Sequence, residues 1–272
     1  MKLTYGIIVT CAAALLATGC TGSKSETPSR TISFENLTGR YSYRLLQSAR
    51  DFDRDSDILC FDSVSLMYPT LVLDCNIKEL QDSILSAAFD TVAPPDSAMR
   101  HCFAARSAEL GYATAPAAGT SDEEETADGF MLISGSVVNL SGDWLTYCVS
   151  TGISEPGAAH GLTVNRYLNF SITEGRLVTL AGLFTPEGMD KLPGIIANQA
   201  NRMRSLLGPT SIDGLPSAGN FIITPEGTIE FAYQPYEVAS YAQGEIRVPF
   251  YPYQLSEFMT PAGLKLFRLA AD

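Results

Sequence analysis

Only two histidines, His101 and His160, occur among the 272 residues. Any histidine-dependent chemistry must run through one of them, and a histidine-rich metal site is excluded. His160 stands in Gly157-Ala158-Ala159-His160-Gly161, a stretch of small, backbone-permissive residues. As a general base it needs a carboxylate to orient it, with Glu155 and Glu237 as candidates, and a nucleophile within hydrogen-bond reach. Its plainer role is to hydrogen-bond a backbone carbonyl and fix the loop. Glu237 lies between Tyr236 and Tyr241. Glycosidase chemistry needs a second carboxylate at a set distance, and no acid nearby stands out as one. The plainer role for Glu237 is to accept backbone N–H bonds within its loop. The chain has no HExxH, GxSxG, P-loop or GxGxxG motif. No catalytic residue, metal or cofactor is expected.

Six cysteines are present. Cys11 lies in an N-terminal apolar run and Cys20 ends it. The remaining four, Cys60, Cys75, Cys102 and Cys148, are disulfide candidates in an oxidising compartment. Four cysteines allow three pairings, and sequence does not choose between them. One pairing joins Cys60 to Cys75 across an antiparallel unit and leaves Cys102 to Cys148. Four small buried thiols are the equal alternative. Without a CxxC pair, zinc and redox roles have no support. The richest aromatic cluster is Tyr233, Tyr236, Tyr241, Phe250, Tyr251 and Tyr253. Exposed tyrosine is enriched at interfaces. Tyr236 and Tyr241 are expected on a loop, and Phe231 and Phe250 in the core.

The elements that must position these residues read as follows. Residues 31–50 are ambiguous. Residues 58–68 alternate like a strand until Pro69, and 70–74 make another. Asn76 and Glu79 predict a capping box for an amphipathic helix ending near Phe89, and a second helix covers 97–110. Residues 113–128 carry five acids and no large apolar side chain, which predicts a mobile loop or inter-domain linker. Hairpins are expected around 139–143, 173–175 and 225–227. Thr185-Pro186-Glu187 starts a helix that Pro193 should kink or split. A strand over 244–250 and short closing helices complete the chain. Strands and hairpins without regular strand–helix alternation predict an α+β fold with mostly antiparallel sheets.

Residues 1–20 have a basic start, a short apolar run and the ending Leu16-Ala17-Thr18-Gly19-Cys20. This resembles a bacterial lipoprotein signal, in which Cys20 becomes the lipidated first residue. The run is too short to span a bilayer, so the expected product is a domain anchored by acyl chains. The expected location is the cell envelope, on a bacterial membrane, the outer one favoured, facing periplasm or exterior. A polar tether follows. The expected divisions are a signal at 1–19, a tether and N-terminal segment at 20–54, a small α+β unit at 55–128 and a recognition domain at 129–272. The net charge of −12 makes nucleic acid an unsuitable partner.

Gly157-Ala158-Ala159-His160-Gly161, Tyr167-Leu168-Asn169-Phe170, Asn220-Phe221-Ile222-Ile223-Thr224 and the run Pro235 to Gly244 resemble the C-terminal domain of the lysozyme-sensing anti-sigma factor family. The same domain occurs beside some peptidoglycan deacetylase domains and in Bacteroides-type lipoproteins. Val64-Ser65-Leu66-Met67-Tyr68-Pro69 resembles the start of its usual companion domain. Ala158 stands where the family has a second glycine. The family's sigma-binding segment and spanning helix have no counterpart, so sigma-factor control is not carried over. The resemblance implies an extracytoplasmic, non-enzymatic recognition module. Its partner would be a protein such as lysozyme, or a cell-wall glycan, bound through loops 155–161 and 234–244 with His160, Tyr236, Glu237 and Tyr241. The alternative is a peptidoglycan hydrolase or deacetylase, or an accessory domain, that uses His160 and Glu237.

Overall fold

The computed structural model describes residues 32–46, 57–73, 75–111, 114–203, 215 and 219–269. Cys20 and the signal and tether segments lie outside them. The fold is α+β, as the pattern predicts. A seven-stranded sheet has the order β3-β1-β2-β4-β5-β6-β7. Its strands are β1 (Ile32–Leu45), β2 (Ile58–Val72), β3 (Ala117–Ala118), β4 (Gly129–Ser141), β5 (Trp144–Ser154), β6 (Leu162–Ser171) and β7 (Arg176–Val178). Every neighbouring pair is antiparallel except β2 with β4. Residues on both sides of position 128 therefore build one sheet. The β2–β4 crossover contains α1 (Lys78–Phe89), α2 (Pro95–Glu109) and α3 (Ser121–Thr126).

One face of this sheet carries α1 and α2. Leu80, Ile84, Phe89, Met99 and Phe103 pack on Val64, Leu66, Ile133, Leu145, Tyr147 and Val149. On β5 these are the odd positions, as the two-residue strand period requires. The even positions face the other way, toward a second, three-stranded sheet of order β10-β9-β8. Its strands are β8 (Phe221–Ile223), β9 (Ile229–Tyr233) and β10 (Ile246–Phe250). They form a second core with α4 (Leu180–Leu183) and α5 (Pro186–Arg202), and α6 (Pro261–Leu266) packs at its margin. Phe231 and Phe250 are buried there, as expected.

Side-chain amides and a hydroxyl join the two sheets. Among the described residues, the outer edge of β8 has no strand partner. Instead Asn139 Nδ2 and Thr146 Oγ1 donate to the Ile223 carbonyl at 3.0 and 2.9 Å. Asn169 Nδ2 donates to the Phe221 carbonyl at 2.7 Å, and Asn169 Oδ1 accepts from Ile223 N at 2.9 Å. Buried backbone groups that would otherwise be orphaned are thus satisfied. β6 pairs with β7 only over Asn169–Ser171, and its free edge before Asn169 is treated alike. Asn220 Oδ1 accepts from Tyr167 N and Asn220 Nδ2 donates to the Asn165 carbonyl. Gln234 Oε1 accepts from Asn165 N.

Several local expectations are corrected. Residues 31–50 include a full strand, β1. Pro69 lies within β2, opposite Phe34 where the register shifts, and a bulge is where a strand admits proline. Asn76 Oδ1 does accept from Lys78 N, but Glu79 turns away and accepts from Leu177 N, so no capping box forms at α1. The box occurs instead at α3, between Thr120 and Glu123, inside the stretch expected to be bare loop. Pro193 sits within an unbroken α5. The stripe Leu192, Ile196, Ala197 and Ala200, buried against the second core, offsets the lost helix bond.

The one cysteine pairing named from the sequence is not made. Cys60 lies near the start of β2 and Cys75 beyond the turn that follows its end at Val72; the strand from Cys60 to Val72 is roughly 40 Å long at ~3.3 Å per residue. Cys102 packs with the helix-side core, and Cys148 packs on the opposite face with Tyr167, Ile222 and Ala232. Neither pair is bridged.

Candidate functional site

The β5–β6 hairpin ends in the loop that holds His160. Arg106 of α2 secures its base, donating from Nη1 to Glu155 Oε1 at 3.0 Å. Arg106 Nε is also 3.4 Å from Asp62 Oδ2. Asp62 is fully buried on β2 and accepts from the Tyr43 hydroxyl and Met131 N at 3.1 and 2.8 Å. Burial raises the Asp62 pKa above the usual carboxylate range, and the nearby Arg106 offsets this only in part. Pro156 then packs on Gly129, where an added Cβ would lie 2.7 Å from its ring. Gly157 turns the chain with φ +83°, and Ala158 N closes the turn on the Glu155 carbonyl.

The β9–β10 connection supplies the other half. Gln234 N donates to Glu237 Oε2 at 2.6 Å and Glu237 N to the Gln234 carbonyl at 3.1 Å. Tyr236 is forced to φ +71°, a region costly for a bulky L residue. Ser240 and Gln243 then cap a short 3₁₀ turn, Tyr241–Gln243. Gly244, at φ +67°, returns the chain to Glu245. Glu245 anchors the connection to β6. Its carboxylate accepts from Asn165 Nδ2 at 2.9 Å, from the Tyr167 hydroxyl at 3.0 Å and from Arg247 Nε at 2.6 Å.

These two loops bring three of the four expected residues together. The His160 ring lies on Tyr241 with centroids 3.9 Å apart and planes 18° apart. Tyr236 and Tyr241 are 5.8 Å apart at 28°. His160 Nδ1 is 3.1 Å from the Gly161 carbonyl, and Nε2 is 3.2 Å from the Tyr236 hydroxyl. A carbonyl only accepts, so the network assigns the proton to Nδ1 and makes Nε2 the acceptor of the Tyr236 O–H. Both ring nitrogens are engaged. All three rings remain exposed, Tyr236 at 59%. Glu237 does not join the stack; its carboxylate holds the turn from beneath.

Sequence reading missed the residues that support the stack: Arg106, Asp62, Asn165, Asn220, Gln234 and Glu245. A faint signal was available. Asn165 and Asn169 interrupt an otherwise strand-like run, and asparagine is depleted in strands. Cys75, Cys102 and Cys148 are not activated. Burial, and then Glu245, pushes Cys148 up to about 11, and burial raises Cys75 and Cys102, opposite to what a reactive thiolate needs. No group of three potential ligand side chains could hold a metal among the described residues. No helix among them is long and apolar enough to cross a membrane. A cleft of about 350 Å³, lined by Leu177, Val178, Leu180, Met189 and Phe221, lies between β6–β7 and the second core; none of the stacked rings lines it.

Comparison with known proteins follows this division of the molecule. Residues 181–251 match a family described as protein of unknown function, DUF3298. The match starts after His160 and includes Tyr236, Glu237, Tyr241 and Glu245. No curated protein matches. The crystal structure of a DUF3298 family member from Bacteroides fragilis is similar, with a TM-score of 0.63 at 16% identity, over 89% of this chain and 98% of that one. A DUF3298 family protein from Pseudomonas aeruginosa gives a TM-score of 0.45 at 13% identity, over 85% and 96%. Residues 181–251 are therefore similar to the DUF3298 family, within a fold that the chain shares with the Bacteroides fragilis protein.

Proposed function

We propose that the protein is a lipid-anchored, non-enzymatic recognition protein of the bacterial cell envelope. It binds a protein such as lysozyme, or a cell-wall glycan, through loops 155–161 and 234–244. The observation that carries this reading is the exposed three-ring stack of His160, Tyr236 and Tyr241. Two separate loops, each tied down by buried or half-buried polar groups, hold these rings in water in one geometry. Rigid aromatic side chains that lose little freedom on binding are the usual anchors of an interface. The anchor itself is read from Leu16 to Cys20. The hydrolase reading draws less support, because both His160 nitrogens are occupied and Glu237 is committed to its turn.

Binding of the full chain to lysozyme and to purified cell-wall glycan, at low and at physiological salt, tests the proposal. Saturable binding of at least one ligand that persists at physiological salt is expected. If lysozyme binding vanishes with salt and no glycan binds, the contact is only an acidic protein meeting a basic one, and the proposal fails.

A further inference from the structure

Tyr251 and Tyr253 form a second exposed aromatic pair, outside the stack described above. They are 57% and 64% exposed. Their rings lie 5.7 Å apart with planes only 13° apart. The short 3₁₀ segment Pro252–Phe258 holds them. Tyr251 N donates to Gln254 Oε1 at 2.7 Å, and Ser256 Oγ donates to the Tyr253 carbonyl at 2.8 Å. Pro252 fixes the backbone between the two rings.

The register of the small sheet relates this pair to the first. Ile246 pairs with Tyr233, and Phe250 with Ile229, which in turn pairs with Ile223. The Ile223 carbonyl receives Asn139 of β4 and Thr146 of β5, whereas Glu245 is tied to Asn165 and Tyr167 of β6. Strand β10 thus crosses the large sheet from the free edge of β6 toward β4. The His160 stack adjoins its first end, and Tyr251 and Tyr253 follow its last. Four residue steps at ~3.4 Å separate those ends by about 14 Å. Arg247, Pro249 and Tyr251 alternate to one side of β10, opposite the buried Ile246, Val248 and Phe250. Glu245 and Glu230 partner the Arg247 charge.

We infer that Tyr251 and Tyr253 are a second stacking platform, and that one linear glycan chain lies along β10 against both platforms. The inference rests on the reading of the His160 stack as a recognition site. A pyranose ring presents C–H groups of partial positive character, which complement the negative face of a tyrosine ring. Two flat platforms at the two ends of a strand about 14 Å long, with a paired charge between them, fit an extended chain of such rings. Contact between one compact partner and the first platform would leave the second without a role.

The test measures affinity of the full chain for β-1,4-linked N-acetylhexosamine oligomers of two to eight units. Wild type is expected to bind the longest oligomers at least tenfold more tightly than the dimer. Tyr251→Ala with Tyr253→Ala should remove that gain while dimer binding and the unfolding midpoint stay unchanged. Affinity independent of length, or a gain that survives the double substitution, overturns the inference. If no oligomer binds but salt-resistant lysozyme binding persists, the inference falls and the recognition reading stands. If neither ligand binds, both fall.

Discussion

His160 donates through Nδ1 to the Gly161 carbonyl and accepts the Tyr236 hydroxyl at Nε2 while its face covers Tyr241. It acts as the spacer that fixes both tyrosines. Because it is exposed, His160→Ala should change unfolding free energy by less than about 0.5 kcal/mol. It should weaken ligand binding about tenfold or more, since both rings then lose their fixed orientation. Denaturant unfolding and a binding titration on the same sample check this, and undiminished binding would refute the role. The loop placement of His160, Tyr236 and Tyr241 was legible from glycine, proline and tyrosine spacing. That Glu237 accepts a backbone N–H within its loop was legible too; that Tyr236 adopts φ +71° was not, because the closed turn and not tyrosine itself makes that choice.

At the scale of elements, the contacts between the two sheets matter most. Asn169 makes two buried hydrogen bonds to the β8 backbone. Asn169→Ala orphans the Phe221 carbonyl and Ile223 N, and should cost about 2–4 kcal/mol. Asn139→Ala should cost less, because Thr146 still donates to the Ile223 carbonyl. Chemical denaturation compares the two, and equal small losses would contradict the assignment. The hairpins of β4–β5, β6–β7 and β8–β9 were readable from their turn residues. The course of β2 through Pro69 and of α5 through Pro193 was not. Local propensity penalises proline in both places, while burial of the flanking apolar stripe outweighs that penalty. Asn169 reads from sequence as a weakness in a strand, and its value appears only once β8 lies across it.

For the whole molecule, Asp62 and Arg106 link the core to the binding loop. Burial raises the folded-state pKa of Asp62 above its unfolded value. The folded protein therefore keeps this proton to higher pH than the unfolded chain does. The stabilising effect is complete below the unfolded pKa and is lost as pH rises through the folded one. Asp62→Asn does not titrate, so its stability relative to wild type should improve as pH increases across that interval. Unfolding curves taken at several pH values measure the difference, and a variant that becomes relatively weaker as pH rises would contradict it. The α+β class was legible from the pattern of strands and hairpins. The parallel pairing of β2 with β4 was not, because their contact spans two helices and the acidic segment, far beyond the reach of local periodicity.

The central claim is that the exposed stack is the recognition surface. Calorimetric titration of wild type and of Tyr236→Ala with Tyr241→Ala, each against lysozyme and cell-wall glycan at physiological salt, tests it most directly. The account predicts that a ligand bound by wild type is lost by the variant while both proteins unfold at the same midpoint. Equal binding by the two proteins, or no binding of either ligand by wild type, would contradict it.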